Sequence, residues 1–428
     1  MISAEENQLL TQTDQNTSCG ELLRRYWQPV ALGEELPKGG APVKVKILGE
    51  ELVLFRDDQE RLGLIGLHCA HRGTDLSYGR IEDGGLRCLY HGWLYDACGR
   101  VIDQPGEPGG GAHKGEIRHT AYPCREAGGI ILTYMGPGEP PLLPNYEFLT
   151  AAKEYRSATK VFASCNYLQG NEGNIDPVHL SFLHQCLDEA QIARRRMVPG
   201  SDASDNTLLG GDIAPTIEVE VTDYGLRIYT LRGAGTDKRY MRVTNFVMPN
   251  LSVFGGASVG YGYSVHWHVP IDDHSHWKYI FSFSREKPLD EFMRTRTRTE
   301  LTAGYRLTRN AANRYQQDRD SMKTQTFTGM GLNFQAHDAF ATESQGPVQD
   351  RTAEHPVTSD RAIIAARKLL LNGMKDAKSG RDPQHVIRDP KKNNLLHLQA
   401  LSEVIPTALD CKQHIRERVA EIARKYSQ

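Results

Sequence analysis

Within residues 69–93, CAHRGTDLSYGRIEDGGLRCLYHGW, a first cysteine–histidine pair, Cys69-x-His71, is followed by a second, Cys88-x-x-His91. Ligands spaced this way tie two loops to one metal group, and that fixes the local fold more tightly than any apolar run in the chain. A structural zinc site also takes two Cys and two His, but zinc fingers pair Cys with Cys and His with His along the sequence. Here each arm mixes one of each. Mixed arms suit a [2Fe-2S] cluster in which one iron takes both thiolates and the other both imidazoles, with less negative charge and a higher potential than an all-Cys cluster. Cys98, just past the second arm, reads as a small buried side chain.

The rest of the chain limits what surrounds such a group. At 428 residues it is too long for one compact core and implies two domains. With 39% hydrophobic and 24% charged residues it has the balance of a globular protein. A net charge of −2 offers no general attraction to nucleic acid or to an anionic membrane. The N-terminus MISAEENQLLTQTDQNTS lacks a basic n-region and an apolar h-region, and no apolar run is long enough for a membrane span, so the expected location is cytoplasmic. The cysteines Cys19, Cys69, Cys88, Cys98, Cys124, Cys165, Cys186 and Cys411 are thinly spread, which argues against disulfides and for a reducing compartment.

Along the chain, residues 18–29 read as a short helix closed by Pro29, and VKVKILGEELVLFRD as a hairpin around Gly49-Glu50. Strand-like pieces continue through LGLIGL, GLRCLYHGW and GIILTYMG, so residues 1–150 form an all-β domain with an N-terminal helix. Residues 151–428 read as an α+β domain, an antiparallel sheet flanked by helices. Its first signal, NEGNIDPVHLSFLHQC, reads as a loop entering a helix with Asp176 as N-cap and Pro177 at the first helical position. A hairpin around Asp223 to Gly225 and the strands MRVTNFVM, LSVFGGAS, YSVHWHVP and WKYIFSFSRE follow; helical periodicity returns over roughly 288–320, in RAIIAARKLLL and at the C-terminus.

A second set of metal-ligating residues lies in that first signal. Asp176, His179 and His184 form Asp-x-x-His-x-x-x-x-His, and two His five apart are offset by about 140° on a regular α-helix. They can face one metal only where the helix is distorted or just beginning; otherwise they read as solvent-facing or core histidines. Two imidazoles and one carboxylate would build the facial triad of non-heme Fe(II) oxygenases, with positions open for O2 and substrate.

CAHRGTDL and CLYHGWLYDACGR look like the two loops of a Rieske domain, and together with the second set they resemble the catalytic subunit of a Rieske non-heme iron aromatic-ring-hydroxylating oxygenase. The resemblance covers essentially the whole chain. AHDAFATESQGPVQDRTAEHPVTSDRAIIAARKLLL, NQLL and RRYWQPVAL are most similar to the phthalate dioxygenase branch. It implies a cluster on Cys69, His71, Cys88 and His91, and a mononuclear Fe(II) on His179, His184 and a late Asp followed by a Glu, matched by Asp338 and Glu343. His337, adjacent, competes for that assignment; Glu343 and Asp350 read as capping or salt-bridge residues. The resemblance also gives Asp176 a role between His179 and the partner subunit's His91, so that electrons cross a subunit interface in a homo-oligomer, a trimer or hexamer of trimers.

No GxGxxG lies in a strand–turn–helix context, so NAD(P)H electrons would come from a separate reductase, directly or through a ferredoxin. An aromatic acid substrate calls for a cation; Arg242, in an otherwise apolar strand, is the candidate ahead of Arg194, Arg195 and Arg196, which read as a solvated helix face. Ring dihydroxylation, hydroxylation and O-demethylation of a lignin-type methoxylated acid all remain open. Two other classes stay beside the oxygenase: a Rieske electron-transfer protein, which needs no second site, and a zinc-stabilised binding module.

Overall fold

The structure, a computed structural model, describes every residue except 110, 112, 113, 115, 194–196, 256–261, 427 and 428. Two capped helices open the chain: Ser3 and Glu6 close a capping box on Ala4–Thr11, and Thr17 caps Ser18–Arg24. The second helix stops at Arg24 rather than running to Pro29. Pro29 instead lies in the strand Trp27–Leu32, which pairs antiparallel with Ile130–Tyr134, and the register shifts beside it. A proline has no N–H for a regular ladder, and an irregular position accommodates it.

Residues between these two strands form the cluster domain. One sheet holds Val43–Ile47, Glu50–Arg56 and Leu62–Gly66; another holds Arg80–Glu82, Gly85–Arg87, Leu94–Tyr95 and Val101–Asp103. The hairpin at 48–49 turns through positive φ at both Leu48 and Gly49, the geometry that matches strand twist. Val53, Phe55, Ile65, Leu67, Trp93 and Tyr95 bury a core of their own here, separate from the main one.

The larger part is an eight-stranded antiparallel sheet, ordered Arg156–Ala163, Ser275–Phe283, Tyr263–Asp272, Leu251–Phe254, Lys238–Val247, Gly225–Gly233 and Thr216–Val221, with Ser402–Pro406 also pairing onto Lys238–Val247. The helix Arg361–Lys378 buries Ala362, Ala366, Leu370, Gly373, Met374 and Ala377, an i, i+4, i+8 stripe. Against that helix lies Ser18–Arg24, so the N-terminal helices rest on the sheet domain: Arg25 Nη2 donates to the Ala377 carbonyl at 3.1 Å and Thr13 N–H to Asp273 at 2.6 Å.

The helix expected over 288–320 is largely absent. Only Glu291–Thr295 is α-helical, with a 3-10 segment at Ala311–Gln316. Thr and Arg dominate this stretch and leave no continuous apolar face to bury; Arg294 and Arg298 instead tie the backbone to the Glu154 and Ala158 carbonyls. Among the described residues no helix is long and apolar enough to cross a membrane.

Candidate metal centres

The two Cys–His arms fold on the same frame. Cys69 N–H donates to the Thr74 carbonyl at 2.8 Å and Gly73 N–H returns to the Cys69 carbonyl at 2.8 Å. In the second arm Cys88 N–H donates to Trp93 at 2.9 Å and Gly92 N–H to Cys88 at 3.1 Å. Gly73 and Gly92 both sit at φ +75°, which closes each loop where a side chain would be strained. Both sulfurs are buried, and Cys69 Sγ lies 3.0 Å from the Tyr95 hydroxyl.

His71 and His91 meet with ring centroids 4.5 Å apart, and His71 stacks on Trp93 at 4.7 Å. His71 Nδ1 is buried with no hydrogen-bond partner. A buried nitrogen left without a partner is costly unless a metal takes its lone pair. The two loops thus bring two buried sulfurs and two imidazoles together, the donor set of a two-iron cluster with one all-thiolate and one all-imidazole iron. Cys98 is exposed rather than buried, because it sits in the 96–99 turn, where its N–H binds Asp96 and its side chain faces outward.

At the second site the local direction is opposite to the one read from sequence. Tyr167–Ile175 is the helix, and Asp176 ends it instead of capping a new one. A residue before proline is driven out of the α region, so Pro177 terminates the helix at Asp176. His179–Ser181 is then a single 3-10 turn that ends at Phe182, so His179 and His184 do not share one regular helix and the helical offset does not apply. Arg232, fully buried, braces this segment: its Nη2 donates to the Pro177 carbonyl at 2.7 Å and to Ser181 Oγ at 3.2 Å.

The hydrogen bonds fix which nitrogen each imidazole offers. His179 Nδ1–H donates to the Asp176 main-chain carbonyl at 2.6 Å, leaving Nε2 with its lone pair. His337 Nε2–H donates to the Gly331 carbonyl at 3.0 Å, so its Nδ1 accepts from His184 Nδ1–H at 3.3 Å, which turns His184 Nε2 toward Asp338. His337, the competitor in sequence, therefore stands behind His184 and outside the ligand set.

Asp338, on the helix Phe334–Glu343, brings Oδ1 to 3.0 Å from His184 Nε2. At that distance Nε2–H donates to the carboxylate, and a metal ion taken up by both atoms would replace that proton. One ligating atom each from His179, His184 and Asp338 lies within 4.8 Å of the others. Burial would raise the Asp338 carboxyl, but Lys278 and the two histidines outweigh it and hold it well below the usual carboxylate range. His179 is held below the usual range by burial and by His184 beside it.

A cavity of about 250 Å³ adjoins the trio, lined by His179, Leu183, His268, His276, Lys278 and Asp338 among others. Arg242 is not among its lining residues. It is buried on Lys238–Val247 and its Nη1 lies 3.5 Å from Asp205, so its charge already has a counter-ion. Arg194, Arg195 and Arg196 lie outside the described residues. Glu343 accepts from Ser164 N–H and the Tyr315 hydroxyl, and Asp350 from Thr352 in a turn, which are local hydrogen bonds and not the helix caps or ion pairs expected of them. Lys278, His268 and His276 were missed, although the alternation in YSVHWHVP puts His266 and His268 on one face and pairing sets His268 opposite Lys278.

The profile of the Rieske [2Fe-2S] domain matches residues 26–121, and that described as LigXa C-terminal domain like matches residues 133–426. The phthalate 4,5-dioxygenase oxygenase subunit of Pseudomonas putida is 35% identical over 400 residues, 89% of this chain and 88% of that one. The 5,5'-dehydrodivanillate O-demethylase oxygenase subunit of Sphingobium sp. is 31% identical over 413 residues, 94% of this chain and 87% of that one. A chain in the reduced complex between oxygenase and ferredoxin in carbazole 1,9a-dioxygenase shares the fold, with TM-score 0.58, 21% identity, and 91% and 97% of the two chains covered.

An iron–sulfur loop domain joined to a helix-flanked antiparallel sheet defines a Rieske-type oxidoreductase. More narrowly, the chain belongs to the family of oxygenase subunits of Rieske non-heme iron systems, which work with a Rieske cluster, a mononuclear iron and O2.

Proposed function

We propose that this chain is the terminal oxygenase that oxidises a small aromatic acid, with Cys69, His71, Cys88 and His91 holding the cluster and His179, His184 and Asp338 holding the mononuclear iron. The observation that carries the reading is the convergence of two imidazole nitrogens and one carboxylate oxygen beside a cavity. Iron bound there supplies O2 activation, drawing on electrons that enter through the cluster. The chain's own residues do the rest: the Asp176 carbonyl and His337 aim the imidazoles.

In this reading the cluster domain ends near residue 150, and a separate NAD(P)H-dependent reductase, directly or through a ferredoxin, is the electron donor. A relative caught with its ferredoxin supports the second route. The protein works in the cytoplasm as a trimer or hexamer of trimers. Asp176 carries the electron path: its Oδ1 is used by Val178 N–H at 2.8 Å, and its other oxygen remains for the partner subunit's His91.

The two curated relatives bracket the reaction, since one is a ring dioxygenase and the other an O-demethylase. Turnover of phthalates, benzoates and methoxylated aromatic acids with a matched reductase, scoring dihydrodiol against formaldehyde, separates them. Iron analysis should give three irons per chain, two for the cluster and one for the trio. Two irons and no turnover with any acid would reduce the protein to an electron carrier.

A further inference from the structure

The Asp338 carboxylate is held from both sides. Oδ1 faces His184 Nε2 at 3.0 Å, whereas Oδ2 lies 3.4 Å from the ammonium of Lys278. Lys278 stands on Ser275–Phe283 with its side chain 9% exposed, and Asp338 is its ion-pair partner. The other groups around it are neutral or committed. Burial first, then neighbouring charges, holds His268 well below the usual imidazole range, and burial likewise holds His276 near 4. Arg367, also at the cavity, is bound to Glu172 and Glu354.

A carboxylate can ligate a metal through one oxygen or through both, and the second mode takes an additional coordination position. For Asp338 to use both, Oδ2 would have to leave Lys278 and strand a buried ammonium without its counter-charge. We propose that Lys278 is a positioning residue that restricts Asp338 to one-oxygen ligation and so keeps a coordination position open on the cavity side. This rests on the assignment of His179, His184 and Asp338 as the mononuclear iron site.

The test uses the full holoprotein with its cluster oxidised, a state silent in electron paramagnetic resonance, and its mononuclear iron ferrous. Nitric oxide is titrated as a probe of the open position, read from the iron–nitrosyl resonance. Lys278→Met should retain the mononuclear iron, since a freed oxygen adds a ligand, yet bind nitric oxide at least about tenfold more weakly and with an altered line shape. Lys278→Arg, which keeps the cation, should restore most of the affinity.

Unchanged nitric oxide affinity and line shape in an iron-replete Lys278→Met protein would overturn the proposal. So would loss of the mononuclear iron from a folded variant, because the lysine would then be building the ligand and not restricting it. Should Lys278→Met fail to fold, Lys278→Leu, which likewise has no donor for Oδ2, carries the same expectations and the same refutations. Absence of mononuclear iron from the wild-type protein refutes the site assignment instead, which keeps the two failures apart.

Discussion

Replacing His337 with Leu tests whether His184 is aimed through its neighbour. Leu fills a similar volume but has no nitrogen, so the His184 Nδ1–H loses its acceptor at 3.3 Å and the Gly331 carbonyl its donor at 3.0 Å. His337 is 1% exposed, so water cannot readily replace either bond. Each buried group left unpaired costs about 1–3 kcal/mol, giving for the two a local loss on the order of 2–6 kcal/mol.

The fraction that reaches the metal is smaller. Outer-sphere partners of a ligating histidine are worth about 10–100-fold in affinity, or about 1.4–2.7 kcal/mol. With a contact as long as 3.3 Å the expectation lies near the tenfold end. The assay is equilibration of holoprotein against a graded chelator, counting mononuclear iron per cluster. Cluster absorption is a sound internal standard because Cys69 and Cys88, two of the proposed ligands, belong to a separate hydrophobic core. Iron retention equal to wild type at every chelator concentration, in a folded His337→Leu protein, would refute the tautomer argument.

His91→Ala should abolish the Rieske absorption and resonance, since the cluster cannot close its coordination; a full cluster signal would dismiss the assignment. Asp338→Ala should keep the cluster but lose mononuclear iron and turnover, and by leaving Lys278 buried and unpaired it should also cost about 3–5 kcal/mol, measurable as a lowered denaturant midpoint. Asp176→Asn should retain both metals, because His179 is oriented by the main-chain carbonyl at 2.6 Å while the carboxylate oxygen stands 3.9 Å away. Its turnover should fall by orders of magnitude, and cluster reoxidation at the wild-type rate in a single turnover would mean that the side chain serves only its local turn.

Signals carried by neighbouring residues were legible. Period-two alternation gave the strands, i, i+4 spacing gave Arg361–Lys378, and Cys–His spacing gave the cluster loops. Errors arose where one local rule met another: Asp176 has the chemistry of a helix start, but the proline after it made a helix end. Pro29 looked like a helix stop and instead occupies an irregular strand position. The supporting residues were out of reach for a different reason. Lys278 is 60 residues from Asp338 and His184 is 153 from His337, and no single-sequence spacing encodes such meetings. Arg242 failed as a cavity cation because an apolar strand pattern cannot reveal that Asp205 has already neutralised it.

The seating of the N-terminal helices on Arg361–Lys378 also sets a clock. Arg25 and the Ala377 carbonyl that it binds are separated by 352 residues, so at about 5–20 residues per second the first helices leave the ribosome roughly 20–70 s before their resting place exists. During that interval Leu22, which packs beside Gly373 at the end, lacks that part of its cover. The bond from Arg25 to Ala377 therefore closes late in synthesis, and the apolar face beside it is what a folding chaperone would meet on the nascent protein.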